Sequence, residues 1–141
     1  MTETIHAGCV AIGGRGVLLA GRSGSGKSDL ALRLIDRGAR LVSDDYTELR
    51  RDGDRLVARA PDRIAGKIEA RGVGILELDA LPEAAVCLLV DLDAVPERLP
   101  EGTAVRPLAG LDIPAVALAA LEASAPIKVE RALLLFGLPQ S

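Results

Sequence analysis

The sequence predicts one α/β domain with a mixed β-sheet, and three observations predict it. Residues 16–20 are a short apolar run behind a glycine pair, the pattern of a buried strand. Residues 21–28 read G-R-S-G-S-G-K-S and meet G-x-x-x-x-G-K-[ST] at every fixed position. Residues 29–37 then set Leu30, Ala31, Leu34 and Ile35 at helical spacing, and Gly38 stands where a C′ glycine ends a helix. Strand, glycine loop and helix follow one another as a phosphate-binding loop (P-loop) requires.

The first of the flanking elements is a strand over residues 4–12, turning at Gly13-Gly14 into the strand 16–20. It contains His6, the only histidine, whose near-neutral pKa suits proton transfer. Residues 39–43 are a second short apolar strand ending in Asp44-Asp45. Residues 46–60 read as a hairpin with arms 46–49 and 56–60, turning at Asp52-Gly53. Residues 61–68 are irregular, with room for one helical turn. In residues 69–76, Glu69 and Arg71 flank a small residue, and the closely spaced Gly72 and Gly74 require either positive φ or close backbone approach. Residues 84–90 are the most apolar run and read as the central strand, ending at Asp91. Residues 95–102 form a loop, 108–114 bring the chain back, and 115–124 have helical composition. Pro126 interrupts them, and 127–136 form a final helix or include a strand.

The 141 residues suffice for a single domain, 1–141. About half are apolar (49%), so a sizeable core is possible, built from Leu, Val, Ile and Ala because Tyr46 and Phe136 are the only aromatic residues. A net charge of −3 makes no electrostatic case for a nucleic-acid partner. Cys9 and Cys87 lie in apolar runs without C-x-x-C spacing and read as buried free thiols rather than a metal site. No basic segment precedes an apolar run at the N-terminus, and no stretch reaches the roughly 18 apolar residues of a membrane span. The expectation is a cytoplasmic protein without a membrane partner.

The chemistry centres on Gly21, Arg22, Ser23, Gly24, Ser25, Gly26, Lys27 and Ser28. Their backbone N–H groups and the following helix N-terminus favour bound phosphate. Lys27 can reach the β- and γ-phosphates of a nucleotide, and the Ser28 hydroxyl can bind Mg²⁺. Adjacent carboxylates on a strand point opposite ways, so one of Asp44 and Asp45 can face the phosphates while the other braces the site. Either can act as a general base. Asp91, at the end of a Walker-B-like run, is a rival for the metal-facing acid.

Three separated stretches then agree with one family. His6 lies 21 positions before Lys27, the P-loop is followed by Leu41-Val42-Ser43-Asp44-Asp45, and Glu69-x-Arg71-Gly72-x-Gly74-Ile75 matches E-x-R-G-x-G-I. The sequence resembles the catalytic domain of HPr kinase/phosphorylase, most closely over residues 5–78. The resemblance implies a P-loop fold like that of phosphoenolpyruvate carboxykinase, without the usual N-terminal regulatory domain, commonly assembled as a hexamer. It implies an ATP- and Mg²⁺-dependent serine kinase acting on HPr, the phosphocarrier of the sugar phosphotransferase system. Carried over by residue, Lys27 holds phosphates, Ser28 and Glu69 coordinate Mg²⁺, and Asp45 takes the serine proton with Asp44 beside it. His6 assists that step, Arg71 shapes the catalytic loop, and Arg98 stands for an arginine in a D-R-L-G segment. The family's P-V-R-P-G-R-N segment, linked to dephosphorylation, falls on Ala117-Leu118-Ala119-Ala120-Leu121-Glu122-Ala123-Ser124, which has no arginine. The expectation is kinase activity with phosphorylase activity weak or absent. Two alternatives stay open: a kinase of this fold with another acceptor, and an ATP-binding regulator with little catalysis.

Overall fold

In a computed structural model, which describes residues 2–139, the strand that carries the sheet is β9 (Glu83–Asp91). It runs parallel to β3 (Arg15–Ala20) on one side. On its other side its first residues pair antiparallel with β6 (Arg55–Arg59), and its last three pair parallel with β11 (Leu111–Ala117). Around this centre the order is β1 (Thr2–Ile5), β5 (Thr47–Asp52), β6, β9, β3, β2 (Ala7–Ile12) and β4 (Arg40–Ser43). β10 (Ala104–Leu108) adds to β11 as a hairpin. A separate two-stranded hairpin, β7 (Lys67–Ala70) and β8 (Gly74–Glu77), stands off the main sheet. The mixed sheet of the sequence expectation is therefore present, with the predicted central strand at its centre.

Both faces of the sheet are covered. The helices α1 (Lys27–Asp36) and α2 (Ala125–Phe136) bury Leu30, Leu34, Val129 and Leu133 against Val17, Leu19, Leu88 and Val90. On the opposite face Leu49 and Leu56 of the β5–β6 hairpin meet Cys9, Leu18, Val42, Leu89 and Ile113. The hairpin at one end of the strand order thus packs on β2 and β4 at the other end, so the sheet curls on itself. One bulge makes this two-sided core possible. Gly16 pairs with Val86 but Val17 with Leu88, which leaves Cys87 as an extra residue. Ala84 and Val86 therefore face the hairpin, whereas Leu88 and Val90 face the helices. Each buried leucine contributes on the order of 2 kcal/mol of transfer free energy.

Helix α1 ends as its sequence requires. Gly38 has φ 111, and its N–H reaches Ile35 O at 3.0 Å while Ala39 N–H reaches Leu34 O at 3.0 Å. Three details differ from the sequence expectation. The strand 4–12 is broken at His6 into β1 and β2. The hairpin turns one residue later, since Asp52 already pairs with Arg55. The segment 115–124 is not helical: Ala115, Val116 and Ala117 complete β11 by pairing with Leu89, Val90 and Asp91. Sheet pairing overrides alanine's helix propensity there. The open choice over 127–136 resolves as helix, and Pro126 sits inside its first turn, where a missing N–H costs nothing.

Candidate active site

Three breaks in regular structure meet at one place: the bend at His6, the loop between β3 and α1, and the turn after β4. In that turn Tyr46 N–H bonds Asp44 O at 2.7 Å, which puts Asp45 at the apex with φ 66. Aspartate is among the few side chains that tolerate this left-handed region. The Ser43 hydroxyl donates to Tyr46 O, and Thr47 Oγ1 donates to Ala7 O at 2.6 Å, so both flanks of the turn are tied down.

The two carboxylates diverge because the chain turns between them, with Asp45 in the left-handed region. Asp45 Oδ1 lies 2.8 Å from His6 Nε2 and 3.8 Å from Lys27 Nζ. The His6 ring stacks on Tyr46 with centroids 4.9 Å apart. Asp44 turns the other way. Its Oδ1 accepts from Ser28 Oγ at 2.6 Å, and its Oδ2 accepts the Glu69 N–H at 3.0 Å. Asp44 therefore joins the first turn of α1 to the start of the Glu69–Gly74 turn. Ser28 and Asp44 bring a hydroxyl and a carboxylate to one place, hard oxygen donors of the kind that suit Mg²⁺, and the Glu69 backbone is tied to the same carboxylate.

The P-loop itself is tightly held. Gly24 and Gly26 adopt φ 85 and 98, conformations that only glycine takes without strain. Lys27 is 5% exposed, and its Nζ donates to Gly21 O at 2.7 Å and Arg22 O at 3.0 Å. A Cβ on Gly26 would lie 3.1 Å from Ala120 Cβ, so the segment after β11 closes directly on the loop. Gly72 and Gly74 have φ 89 and 123 with nothing near a Cβ, so backbone conformation and not close approach explains that glycine pair.

Arg71 is exposed at the tip of the β7–β8 hairpin, and Arg98 is exposed on the loop after β9. Neither makes an ion pair or side-chain hydrogen bond among the described residues. Asp91, the rival acid, is engaged elsewhere: Oδ2 accepts from Arg106 at 2.7 Å, and Oδ1 accepts the N–H groups of Asp93 and Ala94. Burial pushes its carboxyl up, but those bonds outweigh burial and hold it below the usual carboxylate value. Tyr46, Arg106 and Asp93 are site neighbours that sequence reasoning missed. One signal was available for Asp93: residues just past the end of a strand parallel to β3 fall beside the loop that follows β3.

The curled mixed sheet, with a glycine-rich phosphate-type loop after β3 and two carboxylates beside it, defines a mixed α/β class. Residues 1–87 match the family model described as HPr Serine kinase C-terminal domain, and the chain belongs to that family. It is 52% identical over 81 residues to an HPr kinase/phosphorylase of Peptoclostridium acidaminophilum, covering 57% of this chain and 26% of that one. It is 41% identical over 100 residues to the Geobacillus thermodenitrificans HPr kinase/phosphorylase, covering 65% and 32%. The chain thus spans between a quarter and a third of the length of these relatives. A solved structure, that of the Hpr(Ser) kinase/phosphatase from Coxiella burnetii, superposes with a TM-score of 0.82 at 26% identity, covering 94% of this chain and 88% of that chain. The structural likeness therefore continues past residue 87, where the family model stops. No helix among the described residues is long and apolar enough to cross a membrane.

Proposed function

We propose that the protein is an ATP-dependent serine kinase whose acceptor is HPr. The observation that carries this reading is Asp45, with Oδ1 2.8 Å from His6 Nε2 and 3.8 Å from Lys27 Nζ, beside a P-loop. In this reading the backbone of residues 21–28 wraps the phosphates and Lys27 neutralises their charge. The acceptor serine Oγ bonds the γ-phosphorus as the bond to the ADP oxygen breaks, and the serine proton passes to Asp45. His6, stacked on Tyr46, holds the Asp45 carboxylate in line. Ser28 and Glu69, with Asp44 between them, would hold Mg²⁺, which when bound spreads charge away from the phosphate oxygens. Arg71 and Arg98 are assigned to the catalytic set on resemblance, as are a cytoplasmic location and a homo-oligomeric, hexameric assembly. Residues 1–141 act as a catalytic domain in themselves.

Radiolabelled ATP and HPr test the proposal, with wild type set against Asp45→Asn and nucleotide binding followed in parallel. Transfer in the wild type, lost in the variant while binding persists, supports it. Wild-type protein that binds ATP but labels no HPr removes the acceptor assignment. One observation favours another acceptor of the same kinase: the family model's match ends at residue 87, before the segment that closes on the loop. We further propose that the reverse reaction is weak or absent, because residues 117–124 carry no arginine. Rapid pyrophosphate release from phospho-HPr, Mg²⁺ and phosphate sinks that proposal.

A further inference from the structure

We propose that Asp93 is a positioning residue that sets the opening of the P-loop by holding the backbone of Arg22. Pairing between β3 and β9 runs to Ala20 and Asp91, and Leu92 N–H extends it by bonding Ala20 O at 2.8 Å. The chain leaving β9 therefore travels beside the first residues of the loop. Asp91 turns it sharply: Oδ1 accepts Asp93 N–H at 2.9 Å and Ala94 N–H at 3.1 Å, while Arg106 fixes Oδ2. That turn aims the Asp93 carboxylate at the loop. Its oxygens lie 3.0 and 3.2 Å from Arg22 N, and Oδ1 lies 3.9 Å from Arg22 Nε.

The peptide group joining Gly21 to Arg22 is thereby held from both sides. Its carbonyl, Gly21 O, accepts from Lys27 Nζ at 2.7 Å inside the loop, and its N–H is taken from outside, by Asp93. The next carbonyl, Arg22 O, accepts from Lys27 Nζ at 3.0 Å and from Ser25 N–H at 3.1 Å. Gly21 is wedged next to it, since a Cβ there would meet Ser25 Oγ at 2.6 Å and Leu92 Cβ at 3.2 Å. A carboxylate is an unexpected neighbour for an anion-binding loop, because its charge opposes phosphate. Its value lies in the hydrogen bond, which is stronger for an ionised acceptor and fixes which way the Gly21–Arg22 peptide points. Rotation of that peptide would swing the Gly21 carbonyl away from Lys27 and loosen the hold on the amine that must meet the phosphates.

This inference rests on the reading of residues 21–28 as a nucleotide cradle, and two measurements separate the two claims. Asp93→Ala removes the acceptor; Asp93→Asn keeps an acceptor and removes the charge. Hydrogen exchange at the Arg22 amide in the nucleotide-free protein is expected to be slow in wild type and Asp93→Asn, and fast in Asp93→Ala. For ATP, Asp93→Ala is expected to raise Kd and KM about tenfold, the scale of one hydrogen bond to a charged group, with kcat nearly unchanged. Asp93→Asn, which keeps a neutral acceptor, is expected to fall between wild type and Asp93→Ala in Kd and KM. Unchanged amide exchange in Asp93→Ala, or an Asp93→Asn variant as impaired as Asp93→Ala, overturns the role of Asp93. Wild-type protein that binds no ATP overturns the cradle reading instead, and the exchange measurement still decides the anchor.

Discussion

Substitution of Asp45 separates strain from chemistry at the candidate base. With φ 66 it is one of two non-glycine residues in the left-handed region among the described residues, the other being Ala109. An L side chain there costs about 1–2 kcal/mol, with aspartate near the low end. The Asp45 side chain is 48% exposed, so its pairing with His6 and Lys27 is screened and stabilises by about 0.2–1 kcal/mol. Asp45→Ala loses the pairs and keeps the strained backbone, for an expected loss of about 1–2 kcal/mol. Asp45→Gly also loses the pairs and loosens the unfolded chain by about 0.4–1 kcal/mol, but it releases the strain. The glycine variant is therefore expected to be the more stable of the two by about 1 kcal/mol, the reverse of the order at an ordinary position. Urea denaturation midpoints at equal slope read this difference. An alanine variant as stable as the glycine variant, or more so, refutes the strain argument. If Asp45 is the base, both variants also lose phosphoryl transfer by about 10²–10⁴-fold. A stable glycine variant without transfer would then show that the loss is chemical.

Three further outcomes follow from the same geometry. Gly26→Ala would place a Cβ 3.1 Å from Ala120 Cβ and from Leu121 Cδ2 at φ 98, and is expected to lose about 1–2 kcal/mol and weaken ATP binding. Thermal melts and an ATP titration check this, and unchanged values contradict the packed loop. Asp91 has a folded pKa held below its unfolded value, so its stabilisation is present above the unfolded value and is lost as pH falls through the folded one. Arg106→Ala is expected to lower stability at neutral pH and flatten that part of the acid limb, read as denaturation midpoint against pH. Burial pushes the Cys9 thiol from 9.0 to about 12, so its contribution is present below the unfolded value and lost as pH rises toward the folded one. A thiol reagent at neutral pH is expected to label Cys9 only as the protein unfolds, and Cys9→Ala is expected to remove part of the alkaline loss of stability.

Much of this architecture is legible in the chain because local rules act where local chemistry decides. The P-loop and its helix are marked by glycines whose φ values of 85, 98 and 111 are the conformations that such positions demand. The divergence of Asp44 and Asp45 is anticipated from strand alternation, but it comes about by a turn beyond the end of β4, with Asp45 at φ 66. The bend at His6 is different in kind. Nothing near residue 6 breaks a strand; the interruption falls where the chain leaves β5 to pair with β3, and there His6 faces Asp45, 39 positions away. Asp93 and Arg106 are hidden for the same reason, since each takes its partner from another strand end. The bulge at Cys87 is likewise invisible in an unbroken apolar run, yet it decides which face every later residue of β9 covers.

The segment after β11 shows how composition misleads beside a site. Alanine at 115, 117, 119, 120 and 123 suggests a helix because alanine costs least there. Here the backbone is committed to partners outside the segment as well. Arg33 donates to Ala120 O and, at 3.0 Å, to Glu122 O, while Leu118 N–H continues the sheet by bonding Asp91 O at 3.2 Å. The small side chains serve a second purpose. Ala120 can lie against Gly26 because neither residue projects beyond a Cβ, and Leu121 then extends over the loop with most of its side chain exposed. The alanines that read as helix propensity thus provide clearance, letting this segment close on the P-loop where a bulkier residue at 120 would push it away.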